Sequence, residues 1–203
     1  GSSTTLNSAI DAAQLHIDGG TLTVGGDITV QRFAVGQDGG TNGSYDIAAG
    51  QSVTSTGTTA VGSNGIGTLD VVNAGATLAS TNAVIGEGGN GDGTVTIDNG
   101  NTWTITQFLR IGNSGTGLVD LKSGTLNILG TSGNPRGLRL AENAAGDGTL
   151  IIGVPGGSGT VDPVVNVSGG NTETADAGTG VITMHSGTFN QLTNNLIVGQ
   201  VNN

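Results

Sequence analysis

The sequence predicts an all-β fold, a right-handed parallel β-helix (β-solenoid) of about seven three-strand coils, each about 27 residues long. Three observations predict it. Glycine accounts for 40 of the 203 residues, whereas charged residues make up only 10%. Val, Ile, Leu and Thr recur at regular places, and apolar residues alternate with polar ones between Gly, Asn and Asp turns. Disordered chains usually carry more charge and fewer β-branched residues, so this pattern favours an ordered β fold.

The clearest landmark of the repeat is an apolar residue followed by a small one at the end of a third strand. The small residues recur at steps of 24 to 31 positions along the chain. A fixed period of this length is typical of stacked repeats. The pairs are Val35-Gly36, Val61-Gly62, Ile85-Gly86, Ile111-Gly112, Leu140-Ala141, Val167-Ser168 and Val198-Gly199.

The core positions follow from this alignment, because alternating residues of a strand point to opposite faces. First strands are expected to point two residues inward: Leu15/Ile17, Tyr45/Ile47, Leu69/Val71, Val95/Ile97, Val119/Leu121, Leu150/Ile152 and Ile182/Met184. Second strands contribute Leu22, Val53, Leu78, Trp103, Leu126, Val161 and Phe189. Third strands contribute Phe33/Val35, Thr59/Val61, Ala83/Ile85, Leu109/Ile111, Leu138/Leu140, Val165/Val167 and Leu196/Val198. One coil cannot bury its apolar face alone, so the coils are expected to stack into one core.

A column of hydroxyl residues precedes the second-strand core positions and is expected to face outward. Its members are Thr21, Ser52, Thr77, Thr102, Thr125, Thr160 and Thr188. Stacked threonines favour β-structure and hydrogen-bond along a ladder. A flat Thr-x-Thr face would also suit ice binding, but four of the seven ranks lack the second Thr. A structural role is therefore the preferred interpretation.

Two stretches carry a resemblance to a known family, VGSNGIGTLDVVNAGATLASTNAVIG and GTVTIDNGNTWTITQFLRIGNSGTG. They resemble the repeats of autotransporter passenger domains and of PEP-CTERM-associated β-strand repeat surface proteins. The likeness covers residues 14–199 and is sharpest over 60–125. It implies secretion, a bacterial surface location and a parallel β-solenoid. The motif carries no catalytic residues, so it implies no enzymatic activity.

Composition disfavours several classes of partner. The net charge of -10 disfavours nucleic acid and anionic membrane surfaces, which are bound through Lys and Arg. No apolar run approaches the ~20 residues of a membrane span. There is no cysteine. We predict no cofactor and no enzymatic role.

Several side chains with catalytic or metal-binding chemistry also fit a purely structural role. Asp46 and Asp70 are expected to stack one coil apart, a spacing that also suits a retaining glycosidase. His16 and His185 align with different columns. Trp103 is expected to point inward, which leaves no aromatic sugar subsite. Three acidic residues, Asp38, Asp92 and Asp147, fall in comparable turns and are candidate calcium ligands. The preferred interpretation is structural, because Asp is a residue that tight turns favour.

The predicted function depends on the two ends of the solenoid. Residues 1–13 are predicted to be an N-terminal arm or cap, and 14–203 a single solenoid domain. Ser8–Ala13 could form a helical turn or an extended segment. The chain stops four residues after the last landmark, and an open coil edge templates association with another chain. We therefore expect head-to-tail stacking through Leu6, Ile10, Leu15, Ile17, Leu196, Val198 and Val201.

The expected function is a self-assembling structural subunit of an extracellular filament or surface fibre, with the chain itself as partner. The alternative is an adhesin stalk or glycan-binding passenger segment of a secreted bacterial surface protein, whose partners would be glycans or other surface fibres. A polysaccharide-active β-helix enzyme is the third hypothesis. All three imply an extracellular or cell-surface location.

Overall fold

A computed structural model describes residues 3–130, 136–156, 161–175 and 177–198. Every regular element among these residues is a β-strand. The strands are β1 (Ser3–Leu6), β2 (Ile10–Ile17), β3 (Thr21–Val24), β4 (Ile28–Val35), β5 (Asn42–Asp46), β6 (Ser52–Val61), β7 (Ile66–Val71), β8 (Thr77–Ile85), β9 (Asp92–Ile97), β10 (Thr102–Ile111), β11 (Thr116–Leu121), β12 (Thr125–Ile128), β13 (Arg136–Leu140), β14 (Asp147–Ile152), β15 (Val164–Val167), β16 (Asn171–Thr174), β17 (Thr179–Met184), β18 (Thr188–Gln191) and β19 (Leu196–Val198).

The strands form a parallel β-solenoid, as predicted. The described strands make three sheets: an eleven-stranded sheet, a six-stranded sheet (β5, β7, β9, β11, β14, β17) and a two-stranded sheet (β1, β3). Every pairing between the described strands is parallel. Parallel strands that pair across successive turns of the chain define a stack of layers.

The eleven-stranded sheet contains both the second and the third strands. In its first five members the two are fused into one long strand: β2, β4, β6, β8 and β10. Beyond β10 they separate, because the first half of β10 pairs with β12 and the second half pairs with β13. β12, β15 and β18 continue one path, and β13, β16 and β19 continue the other.

We number the layers along this sheet. Layers one to five are β1/β2, β3/β4, β5/β6, β7/β8 and β9/β10, and layers six to eight are β11–β13, β14–β16 and β17–β19. The described residues therefore form eight layers, whereas about seven coils were predicted. The six-stranded sheet begins only at layer three, because β3 pairs with β1 and not with β5.

The core is a continuous apolar column between the sheets. Trp103 is fully buried in it, as predicted. Its Nε1 donates a hydrogen bond to Ser80 Oγ at 3.1 Å, and Ser80 Oγ is 2.7 Å from Thr59 Oγ1. The inward hydroxyls thus satisfy the indole N–H, which would be costly to bury without a partner.

Successive layers interlock at a glycine corner. Gly112, which follows β10, has a φ of +70°, and a Cβ built on it would lie 2.2 Å from the backbone oxygen of Asp147 in the next layer. Gly148, the second residue of β14, would likewise clash with Ile111 O at 2.1 Å. Glycine fits both positions without displacing the backbone of the adjacent layer. Alanine, the smallest residue with a Cβ, replaces glycine at the corners after β13 and β16. The corner members are Gly36, Gly62, Gly86, Gly112, Ala141 and Ala175, all with positive φ.

Layer seven departs from the predicted alignment. Val161 lies outside any strand and is half exposed, and Val165 stands opposite Leu126. Val165/Val167 therefore belong to the second strand, not the third. The third strand is β16, whose Thr172 stands opposite Leu138, and its corner residue is Ala175 instead of Ser168. The prediction failed because it assumed even spacing, whereas the connection before β15 is longer.

The first layers also differ from the prediction. Leu15 stands opposite Phe33 and Ile17 opposite Val35, so this pair belongs to the third-strand column. Leu22 lies in β3, and Ile28 takes its place opposite Val53. An alternating apolar pair fits any of the three columns, so periodicity alone did not distinguish them.

Residues 3–17 are part of the solenoid stack. The predicted boundary after residue 13 falls inside β2, which pairs with β4 from Ile10 to Ile17. The helical turn considered for Ser8–Ala13 is wrong, and the extended alternative agrees with the structure.

The hydroxyl column is confirmed over four consecutive layers, where Ser52, Thr77, Thr102 and Thr125 stand side by side. Thr77 Oγ1 donates to Ser52 Oγ at 2.9 Å. The predicted member Thr21 is not in this column, because it stands opposite Ser3. In layer seven Val164, and not the predicted Thr160, is the residue opposite Thr125, and the predicted Thr188 stands opposite Val164. Thr160 lies outside the described residues.

Candidate assembly interface

The C-terminal face of the stack is open and apolar. Within the described part of the chain, β17, β18 and β19 each pair with one strand only, β14, β15 and β16. Leu196 is 52% exposed and Val198 is 76% exposed. They border an opening of about 570 Å³ whose lining also includes Val181, Ile182 and Phe189. This face therefore presents unpaired strand edges together with apolar side chains.

The N-terminal face presents the opposite edge of the same sheet. Among the described strands, β2 pairs only with β4, and β1 pairs only with β3. Ile10 and Leu15 are half-buried and pack against the core, whereas Ile17 is buried. Leu6 is 40% exposed and stands opposite Val24, a buried core residue of the two-stranded sheet. Val201 lies outside the described residues.

The predicted interface residues thus fall into two groups at opposite ends of the stack. Ile10, Leu15 and Ile17 lie in layer one, and Leu196 and Val198 lie in layer eight. Phe189 was predicted as core but also borders the open end. Its place in the last layer of its column is the signal that would have identified it.

The two ends of the stack differ in charge. Layers one and two carry Asp11, Asp18 and Asp27 against Arg32. Layer eight, residues 177–198, contains no Asp, Glu, Lys or Arg. Like charges at the two faces therefore contribute little repulsion, and the net charge of -10 acts between whole copies over roughly a Debye length, ~10 Å at 0.1 M salt.

A buried ionic network ties layers five to seven together. Glu142 Oε2 forms an ion pair with Arg110 Nε at 2.7 Å, Glu142 Oε1 accepts a hydrogen bond from Arg139 Nη1 at 2.9 Å, and Arg139 Nη2 lies 2.8 Å from Glu173 Oε2. The four side chains are between 9% and 21% exposed. Each charge has an opposite partner, as burial requires, so the network accounts for these residues structurally.

An amide ladder runs along the outer face of layers six to eight. Asn166 Nδ2 donates to Asn127 Oδ1 at 2.9 Å, and Asn190 Nδ2 donates to Asn166 Oδ1 at 2.9 Å. Stacked amides of this kind bond each layer to the next. The ladder carries the inter-layer register as far as the C-terminal face.

The predicted carboxylate pair is adjacent in the structure. Asp46 stands opposite Asp70 in the six-stranded sheet, and Asp46 Oδ1 accepts a hydrogen bond from Asn73 Nδ2 at 2.7 Å. His16, between Leu15 and Ile17, stands opposite Ala34 in the third-strand column, and not in the first-strand column that holds Asp46. His185 lies at the other end of the stack, where its backbone N–H donates a hydrogen bond to the backbone oxygen of Ile152.

A polar groove of about 460 Å³ runs between β3 and β5, where the six-stranded sheet begins. Thr21, Thr23, Ser44, Asp46 and Asn73 are among its lining residues. At its floor Tyr45 donates to Gln51 Oε1 at 3.0 Å, and burial raises the pKa of Tyr45. Gln51 Nε2 reaches the backbone oxygen of Gly26 at 2.6 Å.

The calcium candidates do not share a site. Asp92 and Asp147 are the first residues of β9 and β14, with Thr116 in the strand between them, whereas Asp38 lies in the turn after layer two. The described residues hold no group of three or more acidic, His or Cys side chains placed to share a metal ion.

Asp120 lies in the outer column of the six-stranded sheet, between Thr96 of β9 and Ile151 of β14. Burial raises the pKa of Asp120 most, and the nearby Asp98 raises it further, whereas Lys122 and His185 act in the opposite direction. Lys122 Nζ lies 3.9 Å from Asp120 Oδ2. Asp120 and Lys122 thus form a long ion pair at the end of β11.

Comparisons with known proteins give no relative. No protein-family model, no curated protein and no solved structure matches the chain. The resemblance to autotransporter and PEP-CTERM-associated repeats therefore stays a prediction. The described residues include no helix of the length and apolarity needed to span a membrane.

Proposed function

We propose that the protein is a structural subunit that assembles head to tail into a filament or surface fibre outside the cell. The observation that carries the proposal is the pair of open ends of one sheet. Among the described strands, β2 has no partner on its outer edge in layer one, and β18 and β19 have none on theirs in layer eight. Open parallel edges are templates for adding another strand.

The direction of the strands supports stacking of identical copies. All strands are parallel, so a second copy moved along the stack axis presents its β2 in the orientation that β18 and β19 require. Such a contact joins two different surfaces and propagates without closing, which produces a filament.

The apolar character of the C-terminal face supplies the driving force. Leu196 and Val198 remain exposed in the single chain, and their burial against another layer would stabilise the joint. The half-buried Ile10 and Leu15 offer apolar surface on the opposite face.

The test is sedimentation velocity of the purified chain over a concentration series. The proposal predicts species that grow in length above a critical concentration. A monodisperse species of 19.7 kDa at every concentration would contradict it.

The groove beside β5 favours a second candidate, a glycan-binding segment of a surface adhesin. Its lining supplies hydroxyl, carboxylate and amide groups that suit sugar hydroxyls. No aromatic side chain among the described residues is fully exposed to stack on a sugar ring, so this candidate ranks second. Oligosaccharide binding that is lost in Asn73→Ala and kept in Ile66→Thr would support it.

A further inference from the structure

Resting on the proposed head-to-tail assembly, we propose that the joint is a continuous β-sheet in which β18 and β19 of one copy both pair with the single long strand β2 of the next. The partner is a second copy of this chain, bound in one register. The register places Phe189 on Ile10, Leu196 on Leu15 and Val198 on Ile17.

The eleven-stranded sheet fixes this register, because its columns can be followed from one end to the other. The column of Ile10 runs through Ile28, Val53, Leu78, Trp103, Leu126 and Val165 to Phe189. The column of Leu15 runs through Phe33, Thr59, Ala83, Leu109, Leu138 and Thr172 to Leu196. Each column ends in a partly or largely exposed apolar side chain at both faces.

The chain already contains a joint of this kind. Between layers five and six, one long strand, β10, pairs through its first half with β12 and through its second half with β13. Trp103 stands on Leu126 and Leu109 stands on Leu138 across it. One continuous strand against two short ones is therefore compatible with the solenoid cross-section. The proposed joint has the same composition in the reverse order along the stack, with β18 and β19 as the two short strands and β2 of the next copy as the continuous strand that follows them.

Strand lengths and core chemistry match across the proposed joint. β2 has eight residues, and β18 and β19 have four and three. A slip by one residue would place inward side chains on outward columns and lose the apolar match. A slip by two would leave Val198 or Ile10 without a counterpart. The register above keeps every inward residue on an inward residue.

Disulfide trapping tests the register, since the chain contains no cysteine. In the proposed joint His16 of one copy lies beside Ile197 of the next, on the outer face. Their Cα atoms would lie ~4.8 Å apart, within the ~4.4–6.8 Å range of a disulfide. In one chain the two residues lie seven layers apart, so a bond between them joins two copies.

The matched control moves one cysteine by two residues on the same face. Gln14 and His16 are both exposed outward residues of β2. In the double variant Gln14→Cys/Ile197→Cys the Cα atoms would lie ~8 Å apart, too far for a disulfide without movement. A second in-register pair, Asp11→Cys/Asn190→Cys, tests the β18 half of the joint.

The expected result is a ladder of covalent multimers after mild oxidation of assembled His16→Cys/Ile197→Cys and of Asp11→Cys/Asn190→Cys, with at least tenfold less for the control pair. Assembled protein in which the control pair cross-links as well as the in-register pairs would overturn the register and leave the assembly itself standing. If sedimentation of the parent chain shows no multimers, the proposed function fails before the register is examined.

Discussion

The apolar pair at the C-terminal face, Leu196 and Val198, offers the sharpest perturbation of the proposed joint. The double variant Leu196→Asn/Val198→Thr keeps the side-chain shapes and removes their apolar character. Both residues are largely exposed in the single chain, so its fold should change little. The effect should therefore appear in assembly.

The expected magnitude follows from their exposure. Full burial of a Val or Leu side chain contributes ~1.5–3 kcal/mol. Val198 is 76% exposed and Leu196 is 52% exposed, so a joint that covers both gains about 2–3.5 kcal/mol. Because each ~1.4 kcal/mol is a factor of ten, the critical concentration should rise roughly 30- to 300-fold.

Pelleting after ultracentrifugation measures the critical concentration directly. The matched control is Ile66→Thr, since Ile66 is 48% exposed at the start of β7 in the middle of the stack. The control should assemble like the parent chain, with the same thermal unfolding for all three proteins. A change below threefold in the double variant, or an equal change in the control, would refute the assigned interface.

Three further predictions follow from the structure. Gly112→Ala should destabilise the fold by about 3–5 kcal/mol in urea unfolding, because its Cβ would press on Asp147 of the next layer at positive φ. Ala141→Gly, at φ 53°, should instead stabilise the fold by about 1 kcal/mol. Small and equal effects of the two substitutions would contradict the proposed role of the glycine corner in stability. The raised pKa of Asp120 means that the folded state holds the Asp120 proton more tightly than the unfolded state does, so ionisation of Asp120 lowers stability as pH rises through the raised pKa. The melting temperature of Asp120→Asn should therefore increase relative to that of the parent chain as pH rises from 3 to 7. A difference in melting temperature that stays constant with pH would contradict this prediction. Since each copy carries a net charge of -10, copies repel one another at low salt, so light scattering should show faster assembly at 0.5 M than at 0.02 M NaCl. Dissolution by salt would mean that ion pairs hold the joint.

The sequence was sufficient to predict the solenoid because alternation and the glycine corner repeat wherever layers touch. Leu69 and Val71 are buried as the i, i+2 pattern predicts, and Val35-Gly36 and Ile111-Gly112 mark true corners. These features are local, so a period can be read from them without a structure.

Other features depend on contacts across layers and could not be read in the same way. The pairing of β3 with β1 moves the start of the six-stranded sheet to layer three. The ionic network joins Arg110, Glu142 and Glu173, which lie about 30 residues apart in sequence. In layer seven, inward Thr172 and Thr174 replace the apolar residues that the alignment sought, so the third strand was missed.

The candidate interface was partly predictable, because the repeat shows which residues come last in each core column. Leu196 and Val198 end their column and are exposed, as expected for a last layer. Ile17 is buried in the core cluster although it lies in layer one. The residues to predict for the C-terminal face were the apolar side chains in the last layer of each core column, and these include Phe189.

Electron microscopy of the assembled chain tests the central claim most directly, through the axial repeat of the filament. Eight layers joined by a continuous sheet at ~4.8 Å per layer predict an axial repeat of ~38 Å, with no gap between copies. Filaments with this repeat would support strand pairing across the joint. Dispersed single particles eight layers long, at concentrations well above the micromolar range, would contradict the account.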